Sequence, residues 1–176
     1  DLANGATLFG SPDHADYPAK TEFRAPGTQS LVSATNAEHV AITGSGTIDG
    51  NGETWWAEAH AHRGSGIVGK VTFRPRLVVF DHCKHVRIEG VTIQNSPSWQ
   101  VVPYYTDDVT IRNVRILAPQ HSPNTDAIDP FSSSNVVIDH VYADVGDDNV
   151  AIKSGLINSP GPDAPSKNIT ITDCEF

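Results

Sequence analysis

The chain has no methionine, only two cysteines, and 12 lysines and arginines against 21 acids in 176 residues. Each shortage excludes something. A formal charge of −9 argues against a nucleic-acid partner, which demands a basic face. An anionic sugar polymer stays compatible, provided the cleft itself holds cations. Cys83 and Cys174 lie far apart, with neither CxxC nor metal-ligand spacing. They read as thiols rather than a bridge and say little about redox compartment. No apolar run approaches the roughly 20 residues that span a bilayer, so no membrane partner is expected. The chain opens on Asp1-Leu2-Ala3 with no basic-then-apolar leader pattern, and its natural N-terminus is expected to lie upstream. Long amphipathic helices are also missing. Thr54-Trp55-Trp56-Ala57-Glu58-Ala59-His60 is the one candidate for a short helix or an ordered loop.

What is present is a repeat. HVAITGSGTIDG (from His39), HVRIEGVTIQNSP (from His85), DVTIRNVRILAP (from Asp108), NVVIDHVYADVGDD (from Asn135) and NITITDCEF (from Asn168) share one design. A polar residue precedes Val or Ile, and apolar and polar positions then alternate. That period of two predicts strands with one buried face. Gly44, Gly90, Asn113 and Asp139 sit mid-segment as turn formers, so each segment predicts two short strands joined by a bend. The first Val or Ile falls at 40, 86, 109, 136 and 169. A period of about 22 to 24 accounts for these positions with one doubled interval and two loop insertions. Parallel strands need long connections, normally helical, and repeats of this length without helices predict a stacked β-solenoid. A β-sandwich is the alternative. It would require hairpins between consecutive segments, and the one candidate, Asp49-Gly50-Asn51-Gly52, has no convincing strand partner immediately after it.

Stacking changes the meaning of sequence distance. Asp126 in Asn124-Thr125-Asp126 and Asp148 in Gly146-Asp147-Asp148 are 22 residues apart, one coil. Equivalent residues on adjacent coils are about 4.7–4.9 Å apart at the backbone. Asp126, Asp147 and Asp148 are therefore expected on one face, where mutual repulsion raises at least one pKa. Such a cluster suits general acid–base chemistry or cation binding. Taken singly, each acidic group is an ordinary turn.

The order GSGTIDGNGETWW, RP, NSPSW, NTDAID, GDDNVAIKSG resembles glycoside hydrolase family 28, the polygalacturonases and their relatives, over nearly the whole chain. The IKSG ending looks like the bacterial members. The resemblance implies an all-β, right-handed single-stranded parallel β-helix, one partial domain over residues 1–176 that is incomplete at both ends. It implies inverting hydrolysis of α-1,4-galacturonosidic bonds in a secreted or periplasmic protein, monomeric at full length. By the resemblance Asp147 is the general acid, and Asp126 and Asp148 hold and activate water. Inverting hydrolases place such carboxyl groups roughly 6.5–9.5 Å apart, and repulsion from ionised neighbours is expected to keep Asp147 protonated. No metal or organic cofactor is implied. Ala127 replaces the usual Gly after Asn-Thr-Asp, and Asn149 stands where Cys is frequent. The family's later Gly-His-Gly and Arg-x-Lys elements are absent from these 176 residues.

Four further residues are candidates for contacting a pectic substrate: Asn124, Lys153, His121 and Gln100. Lys153 serves equally as a counter-charge to the aspartates, and His121 reads first as an exposed loop residue. Trp99 is expected at the core or rim, Trp55 and Trp56 as loop anchors, and Arg74 and Arg76 in structural pairings. Asp49, Asp129 and Asp139 read as coil corners. Three other readings remain at this point: a Ca²⁺-dependent pectate lyase, a rhamnogalacturonan hydrolase, and a non-catalytic β-helical carbohydrate-binding module.

Overall fold

A computed structural model describes residues 1–23, 25–64, 73–155 and 164–176. The strands form a right-handed parallel β-helix. Three parallel sheets run along it. The first contains Thr7–Phe9, Thr47–Asp49, Thr92–Gln94, Arg115–Leu117 and Tyr142–Asp144; the second Val32–Thr35, Val78–Asp81 and Val101–Tyr104; the third Ala41–Thr43, Lys84–Glu89, Asp107–Arg112, Ser134–Asp139 and Lys167–Thr172. Each coil visits the third sheet, then the first, then the second. An antiparallel hairpin, Ala19–Glu22 with Ala25–Thr28, stands apart from these sheets.

Alternation in the sequence becomes stacking in space. In the third sheet Ile42, Ile88, Ile111, Ile138 and Ile171 are successive partners. In the first sheet Leu8, Ile48, Ile93, Ile116 and Ala143 play the same part. The inner members are almost wholly buried, and each such aliphatic side chain is worth roughly 1.5–3 kcal/mol. At the outermost coils the same ladders end in exposed residues, Leu8 and Ile171. Nothing described stacks beyond them.

The corners explain the polar residue that opens each repeat. His39, His85, Asp108, Asn135 and Asn168 occupy equivalent positions, and all have φ between 54° and 57°. Asn and Asp tolerate this left-handed region better than most residues. The bends inside the segments use Gly44, Gly90, Asn113, His140 and Asp173, all at positive φ. The fourth bend therefore falls on His140 rather than Asp139, which ends its strand.

One spacing is reinterpreted. Ala41–Thr43 pairs directly with Arg87–Glu89, so the 46-residue interval is a single long coil and not two. The helix Glu53–Gly64 lies within it. Its Trp55 and Trp56 are buried. The Trp56 indole donates to the Ser96 carbonyl at 2.9 Å, tying the excursion to the next coil. Among the described residues no helix is long and apolar enough to cross a membrane.

Candidate active site

The site forms where chain leaves the first sheet and enters the second. Ile128 bridges both Val101 and Val150, and Phe131 bridges both Tyr104 and Lys153. The Ala127 amide donates to the Asp148 carbonyl at 2.9 Å, and the Gln100 amide to the Asp126 carbonyl at 2.9 Å. Asp126 and Asp148 thus occupy the same position on adjacent coils, as their spacing predicts. The turn beneath Asp147 is held by the Gly146 amide, which donates to Thr125 Oγ1 at 3.1 Å. Gly146 is required there, because a Cβ would lie 2.3 Å from the Ser122 carbonyl oxygen.

A carboxylate oxygen from each of Asp126, Asp147 and Asp148 lies within 4.8 Å of the other two. Their surroundings differ. Asp147 and Asp148 are exposed, whereas Asp126 is 5% exposed. Asp147 accepts from the Asp148 amide at 3.0 Å and, at a long 3.4 Å, from Asn124 Nδ2. Asn124 is itself gripped by Arg74, whose Nη2 donates to Asn124 Oδ1 at 2.8 Å. The Arg74 Nη1 donates to the Pro97 and Pro123 carbonyls at 2.8 and 2.7 Å. Arg74 is structural, as expected, and its structure serves the site.

Lys153 is the cation of the cluster. Its Nζ donates to Asp126 Oδ2 at 3.1 Å and to Asp129 Oδ1 at 2.6 Å. It also lies 4.5 Å from the centre of the Trp99 ring, a favourable cation–π distance. Arg76 sits 4.9 Å from the centres of both the Trp99 and Phe23 rings. The counter-charge role for Lys153 is the one the geometry realises. Of the trio, its ammonium meets Asp126 alone.

Burial is the leading cause of the perturbed titration here. It raises Asp126 above the ordinary carboxylate value, with Lys153 opposing the rise. It pushes Asp129 up to about 7, helped by the charge of Asp126. Lys153 is raised by its two aspartates against its own burial. Repulsion among the trio, the cause expected from sequence, enters only as a minor contribution from Asp147 to Asp126.

The other candidates divide. Asn124 and Lys153 join the aspartates. Gln100 does not: it is wholly buried, and its amide reaches inward to the Thr125 carbonyl at 3.4 Å. A side chain with no exposed surface cannot meet a polymer, so it is withdrawn as a substrate contact. His121 is exposed but faces a separate hollow lined by Asp49, Glu53, Trp56 and Asn95, none of them from the trio. Sequence reasoning missed Asp129, read as a corner and found at 0% exposure. A signal existed. Asp129 stacks in the column of Val102 and Val79, and Lys153 in the column of Phe131 and Tyr104. A charge beside Val102 and Val79 marks Asp129, whereas the column of Lys153 runs on from Tyr104 into Asp81.

Residues 7–176 match the family model described as glycosyl hydrolases family 28. A probable polygalacturonase of Vitis vinifera is 44% identical over 165 residues, covering 88% of this chain and 32% of that protein. An endo-polygalacturonase of Pectobacterium carotovorum subsp. carotovorum is 34% identical over 158 residues, covering 85% and 37%. The crystal structure of a hyperthermoactive exopolygalacturonase from Thermotoga maritima superimposes with a TM-score of 0.77 at 32% identity, covering 96% of this chain and 46% of that one. A polygalacturonase structure from Erwinia carotovora ssp. carotovora gives 0.82 at 26% identity, covering 98% and 47%. The chain spans about a third of the length of these curated relatives.

Proposed function

The chain belongs to glycosyl hydrolases family 28, and from that premise we propose that its protein hydrolyses α-1,4-galacturonosidic bonds of pectic polymers with inversion. The observation that carries this reading is the one-coil register of Asp126 and Asp148, which gathers three carboxylates on one face. Asp147, exposed and held by Asn124, donates its proton to the leaving glycosidic oxygen. Asp126 and Asp148 hold the water between them. As its oxygen attacks the anomeric carbon, one O–H bond breaks toward these carboxylates. A raised pKa suits Asp126 to accept that proton, since a base works best when poised near the operating pH.

The nearest oxygens of the trio lie inside 4.8 Å, closer than the roughly 6.5–9.5 Å between carboxyl groups usual for inversion. Product stereochemistry therefore provides a direct test. Proton NMR of the first-formed reducing end should show the β anomer, and an initial α anomer overturns the inverting mechanism. The non-catalytic reading requires ordinary, uncoupled aspartates, and titration of the three carboxyl groups tests it: independent steps near the ordinary carboxylate value would favour it over hydrolysis. Because its substrate is a wall polymer, the protein is proposed to act outside the cytoplasm.

A further inference from the structure

Beneath the trio, two carboxylates share one ammonium. Asp126 and Asp129 are 5% and 0% exposed, and each gives one oxygen to Lys153. The remaining oxygens, Asp126 Oδ1 and Asp129 Oδ2, are buried and find no donor among the described residues. Leaving a buried acceptor unpaired is costly, and two ionised carboxylates against one lysine leave an uncompensated buried charge. Both carboxyl groups stand against the same Nζ, at 3.1 and 2.6 Å. A single proton shared by the pair cancels the excess charge and supplies a donor that the described residues do not.

We propose that Asp126 and Asp129 form a proton-sharing dyad clamped by Lys153, in which Asp129 is a positioning residue that governs when Asp126 can accept a proton. Asp129 touches no substrate in this scheme; it acts through Asp126. The charged groups facing Asp126 are Lys153, Asp129 and Asp147, with Asp148 on the adjoining coil. Those facing Asp129 are Lys153 and Asp126. Arg76 lies over the Trp99 and Phe23 rings. Charge logic gives opposite signs for the two supports. Removing the acid at 129 ends the sharing and gives Asp126 the whole of Lys153, so Asp126 loses its proton at lower pH. Removing the ammonium does the reverse.

The role in water activation rests on the hydrolase reading, whereas the dyad itself does not. The test has two arms. Carbon-13 NMR of carboxyl-labelled aspartate in the full chain should show Asp126 and Asp129 titrating in two linked steps. In Asp129→Asn, Asp126 should show one step, lowered by about one pH unit or more. In the second arm, the acid limb of the kcat/KM profile on polygalacturonate should move down by a similar amount in Asp129→Asn. It should move up in Lys153→Met and return toward the wild type in Lys153→Arg. Should Lys153→Met fail to fold, the wild-type and Asp129→Asn titrations decide alone. Asp126 titrating in one unlinked step in the unsubstituted chain, or acid limbs moving the same way, overturns the dyad. Linked titration without hydrolysis at any pH by the full-length protein sinks the hydrolase reading and leaves the dyad standing.

Discussion

The corner around Asp126, Asp147 and Asp148 and the corner around Asp139, His140 and Asp173 are built by one rule. Stacked coils lay polar residues over polar residues, and in both places three oxygen or nitrogen atoms come within 4.8 Å of one another. The difference is in what surrounds them. Asp139 accepts from His140 Nδ1 at 2.8 Å, Arg112 Nε at 2.8 Å and Thr172 Oγ1 at 3.0 Å. These donors, His140 first, hold its carboxyl below the ordinary value. Asp126 is drawn indoors, receives one lysine bond, keeps an oxygen without a donor, and rises. Proximity of acids is thus a by-product of the fold. Poised acidity needs burial and a withheld donor as well.

The sharpest way to break this contrast is to neutralise one acid in each corner. Asp147→Asn should cut reducing-end release from polygalacturonate by about 10²–10⁴-fold, with an unchanged circular dichroism spectrum. Asp173→Asn should leave the rate within about twofold, as for a surface residue remote from chemistry. Equal losses would erase the distinction. Next in size is the loss of cations. Lys153→Met strands two buried carboxylates and should cost about 3 kcal/mol in urea unfolding, the low end for a broken buried pair because the lysine side chain is 24% exposed. Arg112→Ala at the other corner should leave the urea midpoint unmoved, as for an exposed pair.

A smaller effect separates the corners by pH. The unfolded chain releases the Asp129 proton near the usual carboxylate value of about 4, while the folded chain keeps it to about 7. Between those limits the native state binds more protons, so this group makes stability fall as pH rises through the window. Asp139, lowered in the fold, has the opposite sign and loses its contribution only as pH falls through its folded value. Melting temperatures across pH 4 to 8 should therefore decline less in Asp129→Asn than in the unsubstituted chain. The least effect is expected from Arg74→Lys, which loosens the forked grip on Asn124 and so the aim of Asp147. A roughly few-fold drop in kcat, with KM little changed, would fit misorientation rather than lost binding.

The sequence made the trio legible because a 22-residue offset is one coil wherever no insertion intervenes, and none separates Asp126 from Asp148. The 46-residue gap misled for the complementary reason. Numbers cannot say whether extra residues complete a second coil or leave the stack, and here a helix leaves it. Asp129 escaped notice because Asp-Pro reads locally as a turn. Only the register against Val102 shows that it belongs to an apolar column. Gln100 was misplaced because strand alternation does not fix which way a residue points just before its strand begins.

The long excursion through Glu53–Gly64 has a practical consequence. Its parent coil meets the shorter coil beside it in unbroken register, so growth at that flank is sealed off from the spacing of the stack. A guest sequence spliced into the outer turn of that helix would travel as cargo. The acids two and three coils away would keep their positions however large the passenger became.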